Sequence, residues 1–269
     1  MLTVLTPSYD RARTLPRLFD SLLRQASMDF EWLVVDDGST DETAALVDGF
    51  ATRAPFAVRR VFQSNGGKHV AVNTGVDQAR GDWIFIVDSD DWLPDNALQV
   101  VTAALQPVKD DAGVVGLCFR KTDALGRVLG RECADLPVPW AAAPTQAGRR
   151  VRGDLAYVFR RKAMAAVPFP VIPGEKFVPD QYAWNRIGDQ GTILFYLDRA
   201  VYRCEYLEDG YTRNFSIHLR RNPRGFFLFY AAQIRREPHF VDKLKAAVRC
   251  AQCLAYRAAR RVRTDGMEG

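Results

Sequence analysis

Three carboxylates stand within four residues in Asp88-Ser89-Asp90-Asp91, directly after the unbroken apolar run Ile84 to Val87. Such a run suits a strand buried on both faces of a parallel sheet, and the acids then fall where that strand emerges, the end at which open α/β sheets bind ligands. Acids this close repel one another unless a positive group sits among them, and hard divalent cations such as Mn²⁺ or Mg²⁺ take carboxylate oxygens and bridge phosphates. The stretch therefore reads as a metal-diphosphate site. The competing reading is a solvated acidic turn capping a helix that starts near Pro94, with Asp91 or Asp95 near its positive end. An Asp-x-Asp tripeptide alone does not choose between them.

Three further strand-like runs end in polar groups. Leu2 to Thr6 leads into Pro7-Ser8-Tyr9, Glu31 to Val35 into Asp36-Asp37-Gly38-Ser39, and Val58 to Phe62 into Asn65-Gly66-Gly67-Lys68. Between them, helical spacing places Leu15, Leu18, Phe19, Leu22 and Leu23 on one face after a Thr14 cap, and Ala44 to Phe50 after a cap at Ser39 or Thr40. Lys68 to Ala79 is helical, Pro94 opens another helix, and Gly113 to Arg120 reads as a fifth strand. Strands alternating with helices at this spacing imply one mostly parallel sheet, with all four polar ends on one rim. No GxGxxG or GxxxxGK[ST] occupies a strand-to-helix turn, which argues against a nicotinamide enzyme or a P-loop ATPase.

After Arg120 the rhythm changes. Residues 121 to 153 read as a turn-rich excursion without helical period. Leu155 to Arg160 resumes a strand, Lys162 to Val167 is a short helix, Pro179 opens a helix running to Ile187, and Ile193 to Leu197 and Ala200 to Glu205 are two strands. Helices dominate from Pro223 to Ala259, aromatic first and basic later.

Of 269 residues, 48% are hydrophobic and 26% charged, ordinary for a globular protein and against disorder. Five scattered cysteines make a disulfide framework improbable and fit a reduced cytosolic setting. Cys250-x-x-Cys253 lacks a second CxxC pair, so two thiols at helical spacing are expected there. No apolar run reaches the ~18 residues of a membrane span, and Met1 leads into a strand without a basic leader, so the expected location is cytoplasmic. The net charge is +5, with basic residues crowding the last fifty. There Lys243, Lys245, Arg249, Arg257, Arg260, Arg261 and Arg263 accompany Phe240, Val241, Leu244, Val248, Leu254 and Tyr256. Two readings stand level: a helix lying peripherally on the inner face of an anionic membrane, and a helix packed on the core with a solvated basic face.

The ordered set resembles the family 2 glycosyltransferases, inverting sugar transferases of the GT-A fold. The matching residues are Thr6 to Tyr9, Val35 to Asp41, Asn65 to Lys68 with Ala71 and Asn73, Ala79 to Asp82, and Asp88 to Asp91. Gly174 to Asp180 with Trp184 to Ile187, and Glu208 to Thr212 with Asn222 to Gly225, are similar to bacterial capsule and exopolysaccharide transferases. The resemblance implies an α/β Rossmann-like sheet flanked by helices. It divides into a nucleotide-sugar half (1–120), an acceptor half (121–222) and a basic helical extension (223–269).

It also implies residue roles. Asp37 would accept a hydrogen bond from a uracil ring and Tyr9 stack near that base, with Pro7, Asn65 and Ser89 completing the nucleotide site. Lys68 would sit at the diphosphate. Asp90 would hold Mn²⁺ or Mg²⁺, Asp88 would support the ribose or metal, and His218 could reach the metal from the C-terminal region. The base would be Asp180, with Glu175 in reserve, because the family's Glu-Asp pair is altered at Pro179-Asp180-Gln181. Helix capping by Asp37 or Asp180 and a solvated Lys68 are the structural alternatives. Trp184 is core or acceptor platform. Partners would be a nucleotide-sugar donor and a glycan, lipid-linked or small-molecule acceptor, with no nucleic acid. A sugar nucleotidyltransferase would need a Gly-rich first loop, which Thr6-Pro7-Ser8-Tyr9 lacks; a non-catalytic binding protein on the same fold fits a lost base acid but not an intact acidic cluster.

Overall fold

The structure is a computed structural model and describes residues 1–205 and 214–265. Its first half alternates β1 (Leu2–Ser8), α1 (Leu15–Leu23), β2 (Phe30–Asp36), α2 (Thr43–Arg53), β3 (Ala57–Phe62), α3 (Lys68–Gln78), β4 (Trp83–Ile86), α4 (Ala97–Leu105) and β5 (Val114–Thr122). The second half holds β6 (Trp140–Ala141), α5 (Pro144–Val151), β7 (Leu155–Arg160), α6 (Arg161–Ala165), α7 (Asp180–Gly188), β8 (Thr192–Arg203), α8 (Phe215–Arg221), α9 (Pro223–Arg236) and α10 (Phe240–Asp265).

One eight-stranded sheet has the order β3-β2-β1-β4-β7-β5-β8-β6. β1 to β5 and β8 run in one direction, whereas β7 descends antiparallel between β4 and β5, and β6 runs antiparallel on β8. The segment between β5 and β7 leaves and rejoins the sheet at the carboxyl rim, descending between them to pair β6 with the first part of β8, and Leu155 and Tyr157 enter the sheet from above the site.

Strand alternation feeds two apolar layers. Trp32, Val34 and Phe85 face α1, α2 and α4, while Leu33, Val35 and Ile84 face α3, α6 and α7. Burial on both faces is what the unbroken apolar runs anticipate.

Several local expectations change. Thr14 holds the N-cap position of α1 without a side-chain cap bond. α2 begins later than a Ser39 or Thr40 cap implies, because Thr43 N–H donates to Asp41 Oδ1 at 3.0 Å while Ser39 Oγ accepts from Asp10 N–H at 3.0 Å. α4 begins at Ala97 rather than Pro94. The excursion contains a helix, α5, opened by Pro144 and too short for its periodicity to stand out. The two expected strands after 190 are one, β8; its pairing with β5 slips between Tyr196 and Ala200, at the polar Asp198-Arg199 that looked like a break. Cys250 and Cys253 are buried free thiols one turn apart on α10. No helix among the described residues is long and apolar enough to cross a membrane. The Glu208 to Thr212 motif and the side chains of Arg261 and Arg263 lie outside what the structure describes.

Candidate active site

A cavity of about 950 Å³ opens at the carboxyl rim. Pro7, Tyr9, Asp37, Asn65 and Lys68 line it from the first three strand ends, Asp88, Ser89 and Asp90 from β4, Asp180 from α7 and His218 from α8. Of the residues singled out in the sequence, only Glu175 stands apart.

Asp37 organises the neighbouring turn. Its Oδ1 accepts from Gly66 N–H and Gln63 Nε2, and its Oδ2 from Gly67 N–H, each at 2.7 Å. Asn65 Nδ2 donates to the Asp37 carbonyl at 2.8 Å. Asp37 thus shapes a loop rather than capping a helix, and Oδ2 keeps one acceptor position. Gly67 is required here twice over: its φ is +94°, and a Cβ would lie 2.1 Å from the Lys176 carbonyl oxygen. Ser8 Oγ, buried at the cavity wall, has no protein hydrogen-bond partner, so a ligand's polar group can satisfy it. Tyr9 sits half-exposed on the rim, its phenol raised by the charge of Asp10 and by the hydrogen bond to it.

Lys68 joins both sides of the cavity. Its Nζ lies 2.8 Å from Asp88 Oδ1 and 3.0 Å from Asp180 Oδ2. Burial works to lower the lysine, but the charges of Asp180 and Asp88 outweigh it and hold Lys68 well above the usual range. It is not a solvated surface side chain. Beneath it, burial lowers His69, which packs edge-on to Phe169 in the core.

The acidic cluster divides unevenly. Burial works upward on Asp88, yet Lys68 and Lys121 keep it below the usual carboxylate range. Asp90 is raised, first by burial and then by the charge of Asp88. Asp91 is buried and pushed up to about 7 by burial, with Asp88 and Asp90 adding to the shift. The network around it is closed: Asp88 N–H donates to Tyr202 Oη at 2.9 Å, Tyr202 bonds Asp91, and Glu205 N–H donates to Asp91 Oδ1 at 3.2 Å.

Even with Lys68, Lys121 and Arg11 nearby, Asp90 and Asp91 stay raised, first by burial and then by the neighbouring acids. Hard carboxylate oxygens set this close together fit Mn²⁺ or Mg²⁺. No three His, Cys, Asp or Glu side chains among the described residues are gathered closely enough to enclose an ion. Asp90 and Asp88 are the carboxylates that could hold the cation. His218, lowered by burial and then by Arg221, stands on the cavity wall next to Phe177.

Glu175 is spent on structure. Both its oxygens accept from Arg224 N–H and Oε2 also from Gly225 N–H, all at 2.9 Å, which anchors the first turn of α9. Gly225 itself approaches the Phe177 carbonyl so closely that a Cβ would lie 2.2 Å from it. Trp184 is buried among Tyr157, Phe159 and Phe169, with one edge on the cavity.

Sequence reasoning missed Arg11, Lys121, Phe229 and Tyr230 in the cavity wall, and no motif marks them. Lys121, next to last in β5, lies 3.7 Å over the Tyr202 ring, which aims its charge at the cluster.

The family model described as Glycosyl transferase family 2 matches residues 3–159. Glycosyltransferase GlyG of Streptococcus pneumoniae serotype 4 is 29% identical over 205 residues, 73% of this chain and 65% of its own. An uncharacterised glycosyltransferase of Bacillus subtilis, EpsJ, is 32% identical over 121 residues, 45% of this chain and 34% of its own. The chain thus aligns with between about a third and two thirds of these relatives' length. Staphylococcus aureus TarS 1-349, solved with UDP-GlcNAc, superposes over 96% of this chain and 72% of its own with a TM-score of 0.65 and 20% identity. The mannosyltransferase PcManGT from Pyrobaculum calidifontis, solved with GDP-Man and Mn²⁺, covers 97% and 75% with a TM-score of 0.60 and 20% identity. These structures share the fold.

Proposed function

We propose that this chain, which belongs to glycosyl transferase family 2, moves a sugar from a nucleotide diphosphate sugar to an acceptor hydroxyl with inversion at the anomeric carbon. The observation that carries this reading is the Lys68 bridge. One ammonium touches both Asp88, at the end of β4, and Asp180, at the start of α7, so the acids of a donor site and a candidate base face one cavity.

Asp37, Asn65, Ser8 and Tyr9 would receive the nucleoside, the donor being a UDP-sugar. Mn²⁺ or Mg²⁺ at Asp90 and Asp88 would neutralise the leaving diphosphate. Lys68 adds a positive charge on the same side and positions Asp180. The Asp180 carboxylate takes the proton of the acceptor hydroxyl as that oxygen bonds to the anomeric carbon and the bond to the diphosphate oxygen breaks. Trp184, Phe229 and Tyr230 form an aromatic wall on which the acceptor, a glycan free or lipid-linked, can rest. Glu175 is the anchor of α9 rather than the base.

The test measures release of UDP from UDP-sugars, with and without Mn²⁺, in the full chain and in Asp180→Asn. Metal-stimulated release that Asp180→Asn suppresses in transfer, while nucleotide affinity holds, is expected. Release of free UDP from no UDP-sugar would rule out the donor, and an active Asp180→Asn beside an inactive Glu175→Gln would transfer the base role to Glu175.

A further inference from the structure

The inner face of α10 packs on α9 through small residues. Ala246, Cys250 and Cys253 are buried, and Cys253 belongs to an apolar cluster with Leu219 and Phe226. In a helix docked on a globular core, the large apolar side chains occupy that inner face and the polar ones face water. α10 is built the other way round. Phe240, Val241, Leu244, Val248 and Leu254 are 78%, 60%, 54%, 60% and 48% exposed. Phe240, Leu244 and Val248 succeed one another at fourth positions, and exposed Ala251 and Ala255 continue the same line, so the stripe runs along one side of the helix for about four turns.

Charge borders the stripe. At about 100° per residue, Lys243 falls to one side of it and Lys245 to the other, while Arg249 lies further round, half-buried over the Phe215 ring of α8. Asp242 is the only acid from 240 to 260; it already pairs with Lys245 at 3.0 Å and with Arg149 of α5 at 3.9 Å.

We propose that the outer face of α10 docks on an anionic lipid bilayer surface, its apolar stripe at the boundary between headgroups and acyl chains and its flanking lysines among the headgroups. The charges choose lipid over a second copy of this chain. A two-fold pairing of the stripe would bring two basic borders together with no unpaired acid among the described side chains of α10 to meet them, whereas anionic headgroups neutralise both borders at once. α9 lies between α10 and the cavity and lines it with Phe226, Phe229 and Tyr230. Docking would therefore hold the cavity within about one helix diameter, ~10 Å, of α10. The surface is separate from the donor site, and its failure would leave the transferase reading untouched.

The experiment is flotation of the full chain with phosphatidylglycerol-containing and pure phosphatidylcholine vesicles, at low and high salt. The variants are Leu244→Glu with Val248→Glu, and Lys243→Glu with Lys245→Glu. Expected is recovery about tenfold greater on anionic than neutral vesicles at low salt, reduced by salt and lost in both variants. The Leu244→Glu, Val248→Glu form should keep the wild-type melting temperature and UDP release, since both side chains face solvent. Wild-type protein left in the supernatant, or undiminished binding by the glutamate form, overturns the proposal. A lowered melting temperature would show that the stripe packs on protein, and a wild-type dimer dissolved by these substitutions without vesicle binding would assign the face to a second copy; either result overturns it as well.

Discussion

Asp91 should destabilise the fold in proportion to its ionisation, and Asp91→Asn should remove that penalty. The carboxyl is buried beside Asp88 and Asp90 and pushed up to about 7 from an ordinary value of 3.8. An acid raised in the folded state binds its proton more tightly there than in the unfolded chain. The stabilisation is whole below the ordinary value and is lost as pH climbs through about 7. Three pKa units at about 1.4 kcal/mol each set an upper value of ~4 kcal/mol. Asp88 and Asp90 relax when Asp91 protonates, so about 2 kcal/mol is expected. Asparagine keeps the shape and can still accept from Glu205 N–H and Tyr202. Urea unfolding of both proteins at pH 5 and pH 8, with chelator present, reads the difference directly, because every other titrating group is common to the pair. The variant should gain ~1 kcal/mol relative to wild type between pH 5 and pH 8, the rest of the difference having developed below pH 5. A difference that does not change with pH would refute the assignment of Asp91 as the strained acid.

Asp90→Asn should lower metal-stimulated release of UDP by at least ~100-fold with no fall in melting temperature, and an active variant with the same Mn²⁺ response would remove Asp90 from the cation site. Asp180→Asn should lower transfer by ~10²–10⁴ while UDP binding, followed by calorimetry, stays within a few-fold. Glu175→Gln should cost about 1–3 kcal/mol in urea unfolding, since an amide cannot accept from Arg224 and Gly225 with both ends; loss of turnover at undiminished stability would contradict the anchor role. Gly67→Ala should be worse than Gly38→Ala for nucleotide affinity, because its Cβ meets backbone at 2.1 Å rather than 2.9 Å; equal affinities would contradict the close approach of Lys176.

What the sequence determined is what local rules govern. The apolar runs at Leu2 to Thr6, Glu31 to Val35 and Ile84 to Val87, each ending in polar residues, fixed a parallel rim because strand burial on both faces and right-handed crossovers leave few other topologies. Asp37, Asn65, Lys68, Asp88 and Asp90 were legible as a group for that reason, and all five reach the cavity. Tertiary structure decided the pairings that span the chain. Lys68 and Asp180 are 112 positions apart, and Glu175 is diverted to a helix start 49 positions on, where the N–H groups of Arg224 and Gly225 hold it away from the cavity. Lys121 and Arg11 carry no local mark, since their role is only to be near Asp88 and Asp90 after folding. In α10 both faces are apolar in sequence, small on one side and large on the other. Packing chose the small side, because Ala246, Cys250 and Cys253 let α10 approach α9 closely, which left Phe240, Leu244 and Val248 outside.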